Sequence, residues 1–379
     1  MMRSSSQQKQ LQEQELPTDE PFGALEPVAY FYDAMPTGVT VSESGRIFVN
    51  YPKWGDDVKF TVAEIIDGEA VAYPNEEFNQ PDSDADPDAL VSVQSVVVDP
   101  EDRLWILDTG SPMFKETAYG GPKLVCVDLA TNEVAKKILF PQDVALPTSY
   151  LNDVRFDLRR GEEGVAYITD SAQKGANGII VVDLATGESW RRLNDHPSTK
   201  ALQLPDFQPI VEGRPFLDKS EGASKQGAGM GSDGIAINAD GSRLFYCPLG
   251  SRRLYSVETD VLVNRAYDNA PATVIDEGDR GGASDGLESD ADGYIYSTNY
   301  EHNAILRRLA NDTGTEWETV VHDPRLLWAD TMSIANDGYL YVTANQLHRQ
   351  PKYQEGKDLR RKPYVLFRVK IDAQPVRLR

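Results

Sequence analysis

Cysteine and histidine are scarce in this chain: 379 residues hold two of the first and four of the second. That shortage rules out a small disulfide-knit scaffold, and no CxxC or Cys/His cluster offers a zinc site. Long apolar runs are missing too, since no stretch approaches the roughly 18–20 residues that a membrane-crossing helix needs. Positive charge is short, with 38 Lys and Arg against 60 Asp and Glu, a formal net charge of −22. Nucleic acid is bound through basic patches, so this balance argues against it as a partner. The opening residues, MMRSSSQQKQLQEQELPTDEP, lack the apolar centre of a secretory signal and read as a disordered leader over 1–27. Cys126 and Cys247 sit in strand patterns of different repeats and read as unpaired buried thiols. Leader and thiols together point to a cytoplasmic protein.

What the chain has in plenty is repetition. Six times a polar residue opens a short apolar run, a turn follows, and a second apolar run carries an aromatic. The copies are TGVTVSESGRIFVNY (37–51), QSVVVDPEDRLWILD (94–108), NDVRFDLRRGEEGVAYITD (152–170), DGIAINADGSRLFYCP (233–248), DGLESDADGYIYSTN (285–299) and DTMSIANDGYLYVTAN (330–345). Their aromatics are Phe48, Trp105, Tyr167, Phe245, Tyr296 and Tyr341, which read as core between repeats. A short-stranded repeat of roughly 40–60 residues is the signature of propeller blades. The expectation is an all-β, six-bladed β-propeller over 28–371, with a C-terminal tail at 372–379. The N-terminal strand would complete the last blade, because a closed ring leaves no sheet edge between the first and last blades. Polar interruptions at 74–90, 196–231 and 346–363 read as loops, and the longest could cover one mouth of the channel.

Equivalent positions in six blades converge on the axis. The first polar residues form one column: Thr37, Gln94, Asn152, Asp233, Asp285 and Asp330. A second column, at the end of the next strand, holds Asp108, Asp170, Asn299 and Asn345, and reads as ligand-binding. Converging carboxylates demand a positive partner, and hard oxygen donors without Cys or His suit Ca²⁺ or another divalent cation. Asn152, Asp233, Asp285 and Asp330 are therefore the expected metal ligands. Asp233, Asp285 and His302 are the expected catalytic groups, and Trp54 and Trp328 the expected stacking wall. Turn aspartates such as Asp240, Asp290 and Asp337 read as turn formers.

The segments GRIFVNYPKW, DRLWILDTGSP, PTSYLNDVRFD, AYITDS, GIIVVDL and LWADTMSIANDGYLYVTANQL resemble the major royal jelly protein / yellow family, in order from about 28 to 371. The resemblance implies a six-bladed propeller holding a small ligand in its channel. Its members include dopachrome-converting isomerases, binders of biogenic amines, and storage proteins; many are secreted, which makes an extracytoplasmic location the alternative. SDGIAINADG and SDGLESDADG are distantly similar to the blades of gluconolactonase-like and regucalcin-like propellers, which hold a divalent metal on a Glu, an Asn and an Asp. Asn152 and Asp233 match the last two, while Thr37 stands in the column where the Glu belongs. The functional expectation is a monomer acting on or binding a small molecule in its channel, a metal-assisted lactonase or hydrolase if it is an enzyme. The alternatives are a non-enzymatic binder of amine-like molecules and a dopachrome-type tautomerase.

Overall fold

The computed structural model describes residues 19–379 except 221–228, 268 and 312–315. Most of the leader, residues 1–18, thus falls outside the described residues. The described residues form six four-stranded antiparallel sheets, one per repeat, and a two-stranded hairpin, Ile210–Val211 with Arg214–Pro215. The innermost strands, Val39–Val41, Val93–Val98, Leu151–Asp157, Ser232–Ile237, Leu287–Ser289 and Ala329–Ile334, each touch the next around a ring. The six-bladed propeller expected from the repeats is the fold. It closes as expected: Leu25–Phe31 pairs antiparallel with Tyr364–Lys370 as the outer strand of the sixth blade. That strand starts three residues inside the segment read as leader. Its register slips between Pro27 and Ala29, where proline has no N–H to give.

The repeat has a physical cause in each blade. The six aromatics lie buried in the second strand, where they fill the gap to the neighbouring blade; Trp105 stacks on Phe156 of the next blade at 5.2 Å between ring centres. Three are tied to the turn of their own hairpin. Trp105 Nε1 donates to Asp99, Tyr296 Oη to Asp290 and Tyr341 Oη to Asp337, at 2.7, 2.8 and 2.8 Å. Each aspartate also takes backbone N–H groups of its turn. Cys126 and Cys247 are buried free thiols in separate blades. Among the described residues no helix is long and apolar enough to cross a membrane.

The C-terminal tail crosses the underside of the ring. Arg377 reaches Glu43 of blade 1 and Asn336 of blade 6. Arg379 donates to the Pro100 carbonyl of blade 2, and Leu158 of blade 3 donates to the Leu378 carbonyl. Leu378 is buried with Ile237 and Leu244 of blade 4, while Pro375 bridges to Asp290 of blade 5. One short segment therefore touches every blade. Above it lies a cavity of about 90 Å³, lined by the lower ends of the inner strands and by Pro375, Val376 and Arg377.

Candidate functional site

The polar column is brought together at the opposite mouth by irregularities in the inner strands. Pairing with the second strand slips between Val93 and Ser95, Leu151 and Val154, Ser232 and Ile235, and Ala329 and Met332. These bulges bracket Gln94, Asn152, Asp233 and Asp330, and a bulge re-aims the side chain it contains. The glycine after two of the aspartates lets neighbouring strands approach. A Cβ on Gly234 would lie 2.3 Å from the Asp285 carbonyl oxygen, and one on Gly286 would lie 2.4 Å from that of Asp330. Gly234→Ala is expected to destabilise the ring by about 1–3 kcal/mol, the range for overpacking, read as a lower denaturation midpoint at unchanged slope. An unchanged midpoint would show that the strands can separate freely.

Every carboxyl of the column is buried and already has an N–H donor. Asn152 Nδ2 donates to Asp233 at 2.9 Å, Trp328 Nε1 to Asp285 at 2.6 Å, and Asn345 Nδ2 to Asp330 at 2.6 Å. Asp233 and Asp285 lie close enough for each to bear on the other's ionisation, and two neighbouring buried carboxyls resist being charged together. Burial, then the Asp285 charge, drives Asp233 well above the usual carboxylate range. Burial raises Asp285 to about 6 against the opposing bonds from Trp328 and Asp233. Asp330 is raised by burial and then by the Asp285 charge. Among the described residues no three His, Cys, Asp or Glu side chains are disposed to hold a metal ion. Thr37, where a Glu ligand would stand, is tied to Asn50 Nδ2 at 2.8 Å. The set therefore does not make the divalent-cation cage expected of Asn152, Asp233, Asp285 and Asp330. As placed, burial favours the protonated form of these carboxyls, and three N–H donors already serve them.

The second column divides. Asp108 accepts from the backbone N–H groups of Val91, Ser92 and Gly110 and pairs with Lys123 at 3.0 Å, both side chains fully buried. Asp170 accepts from Tyr150 and Ala172 N–H, Ser149 Oγ and Arg191. Asn299 caps its own turn by accepting from His302 N–H. These three fasten strand ends, Asn299 beside the outer groove that also holds His302; of this column Asn345 reaches the acid cluster. His302 is exposed on an outer groove with Glu301 and His322, away from the carboxyls. Trp328 is wholly buried and acts as a strut rather than a wall. Its φ of +62° places a bulky residue in the left-handed region, a strained conformation that aims the indole N–H at Asp285.

An aromatic layer roofs the cluster. Tyr300 stacks on Trp328 at 4.1 Å, and Phe216, from the long insertion, packs on Trp328 and on Tyr353 at 4.9 and 4.3 Å. Tyr150 Oη donates to Gln94 Oε1 and accepts from Trp54 Nε1. Outside this layer opens a cavity of about 670 Å³, lined among others by Trp54, Phe114, Tyr150, Met230 and Tyr353. Trp54 was expected in such a wall. Phe114, Tyr150, Phe216 and Tyr353 were not, because they stand in loops outside the repeat. Tyr150 alone had a sequence signal, two places before Asn152.

A family model described as Major royal jelly protein matches residues 91–377. Protein yellow of Drosophila pseudoobscura pseudoobscura is 28% identical over 246 residues, 61% of this chain and 40% of that protein. Major royal jelly protein 1 of Apis mellifera is 27% identical over 195 residues, 50% of this chain and 40% of its own length. The match thus spans about two fifths of these relatives. Among solved structures, a regucalcin from Agrobacterium tumefaciens, described as calcium-binding, superposes with a TM-score of 0.56 at 14% identity, over 93% of this chain and 98% of its own. A gluconolactonase from Xanthomonas campestris gives 0.53 at 11% identity, over 94% and 99%. At such identities these structures speak for the fold alone.

Proposed function

The chain belongs to the major royal jelly protein family, and from that premise we propose that it binds a flat small molecule in the cavity over its channel mouth. The observation that carries this is the 670 Å³ cavity whose inner wall is the stack of Trp54, Phe114 and Tyr150, with ring centres 5.3 and 4.8 Å apart in sequence. Cavities of this size, mostly apolar with a few polar groups, are the usual form of a small-molecule site. Among the described residues the rim carries Lys115, Lys174, Lys352 and Arg360 and the carboxylate of Glu116; Lys115 pairs with Asp84, Lys352 with Asp218 and Arg360 with Asp56 and Asp358, which leaves Lys174 as the rim cation with no ion pair. The acidic cluster lies behind the aromatic layer. The charge seen from the cavity therefore favours an aromatic carboxylate over the amine expected from the column. Lys352 Nζ sits 5.3 Å from the Phe114 ring centre and 5.7 Å from that of Tyr353, placed to meet an anionic substituent.

A second reading is favoured by one observation, the pair of buried carboxyls Asp233 and Asp285 at the channel mouth, each held by its own N–H donor. Two neighbouring buried carboxyls, Asp233 raised well above the usual range and Asp285 raised to about 6, suit giving and taking a proton on one substrate. That suits a tautomerase, with substrate reaching the pair once Tyr150 or Phe216 swings aside. The lactonase reading relied on a metal that these residues do not cage.

Titration with indole and benzoid carboxylates, matched neutral rings and aromatic amines, followed by tryptophan fluorescence, tests the binding. Saturable quenching is expected, strongest for the carboxylates. Trp54→Ala should weaken it about tenfold, the loss of one good stacking contact. Quenching that survives Trp54→Ala unchanged, or a preference for amines, would contradict the assignment.

A further inference from the structure

We propose that a second cavity, on the far side of the basic loop from the first, is a binding site for a compact polyanion such as a pyrophosphate or an organic phosphate. This cavity of about 580 Å³ lies between the hairpin at 210–215 and the loop at 347–361, and its lining includes Arg214, His348, Arg349, Arg360, Arg361 and Glu212. Four guanidinium groups meet on one surface of a chain whose net charge is −22. In such a chain that concentration is no by-product of composition.

The four have different tasks. Arg349 clamps Glu212 in a two-pronged pair at 2.6 and 2.8 Å, and Arg360 is locked by Asp56 and Asp358. These two, with the Arg360 side chain almost wholly buried, build the wall. Arg214 and Arg361 have no side-chain partner among the described residues, and both line the cavity. Among the described residues Glu212, Asp358 and Asp56 oppose the four cations, so one net positive charge remains and the forks of Arg214 and Arg361 are left to meet a ligand. Planar guanidinium forks match phosphate oxygens two at a time.

His348 fixes the floor. It is buried, stacks on Trp328 at 5.9 Å, and its Nε2 lies 2.6 Å from Glu212. Glu212 can only accept, so Nε2 carries the hydrogen, and the hairpin bearing Glu212 and Arg214 is anchored to the loop bearing Arg349 and Arg361. Through Trp328 the same floor rests against Asp285. The polyanion site and the acid cluster thus share one strut, although the proposal stands without any function for that cluster.

Calorimetric titration of the purified chain with pyrophosphate, at low and at physiological ionic strength, tests the site. Saturable binding that weakens with salt is expected. The double substitution Arg214→Ala with Arg361→Ala should lower affinity at least tenfold without shifting the melting temperature. Lys174→Ala, in the neighbouring aromatic cavity, should leave pyrophosphate binding unchanged. No binding at low salt, equal binding by the double variant, or an equal loss in Lys174→Ala would each overturn the proposal. Loss of aromatic-carboxylate quenching with pyrophosphate binding intact would count against the first cavity alone.

Discussion

Replacing Asp233 by Asn is expected to stabilise the protein at pH 8 and to change little at pH 4. Asn is the shape of the protonated carboxyl, so it can still accept from Asn152 and donate to Asp285. A carboxyl whose folded-state pKa is raised stabilises the fold fully below its ordinary pKa, and that contribution is lost as pH climbs through the raised value. Wild type should therefore fall away from the variant from about pH 4 upward. Asp285→Asn should show the same gap, opening between pH 4 and 6 and levelling beyond. A carboxyl moved from 3.8 to about 6 corresponds to about 3 kcal/mol. Thermal melts of wild type and both variants across this range provide the measurement. A gap that shrinks with rising pH would mean the charges are compensated by something other than protons. A rise of about 2.7 kcal/mol in wild type alone, at Ca²⁺ a hundredfold over its dissociation constant, would restore the metal.

Asp108→Ala is expected to be the most damaging single change in the second column, costing about 3–5 kcal/mol and approaching global unfolding. The substitution strands three backbone N–H groups. It also leaves the Lys123 ammonium fully buried among the carbonyls of Asp86, Gly120 and Gly121 with no counter-charge. Asp108→Asn keeps one acceptor but not the charge, so an intermediate loss should follow. Asp240→Ala, which removes a cap from an exposed turn, should cost about 1 kcal/mol or less. Chemical denaturation of the three variants gives the comparison. A loss under 1 kcal/mol for Asp108→Ala would return the residue to the ligand-binding role its column position first indicated.

That misplacement shows what a repeat can and cannot announce. The ring makes equivalent positions share an environment, so the aromatics, the turn aspartates and the mouth column were all legible as a period. Asp108 and Asp170 share a column for the same reason, but the period does not tell whether a side chain faces the axis or folds back on its own backbone. The three N–H groups that hold Asp108 decide that, and they belong to irregular chain. The cavity wall was less legible still. Phe114, Phe216 and Tyr353 occur once each, in loops with no counterpart in other blades, and Glu212 meets His348 across 136 residues. Contacts between single-copy loops leave no pattern in one sequence. The convergence of carboxyls was legible as a column; the N–H donors Trp328 and Asn345, which serve Asp285 and Asp330, could not be ranged from the sequence.

The tail beneath the ring has a consequence for traffic. With Pro375, Val376 and Arg377 across the lower end and contacts to all six blades, the channel is a cul-de-sac. Whatever reaches the carboxyls must leave by the way it entered, past the same aromatic layer. Exchange of one molecule for another is then strictly sequential, with no pushing through from behind. A guest in the outer cavity escapes that constraint; a molecule that went on to the carboxyls would have Tyr150 and Phe216 to pass in both directions.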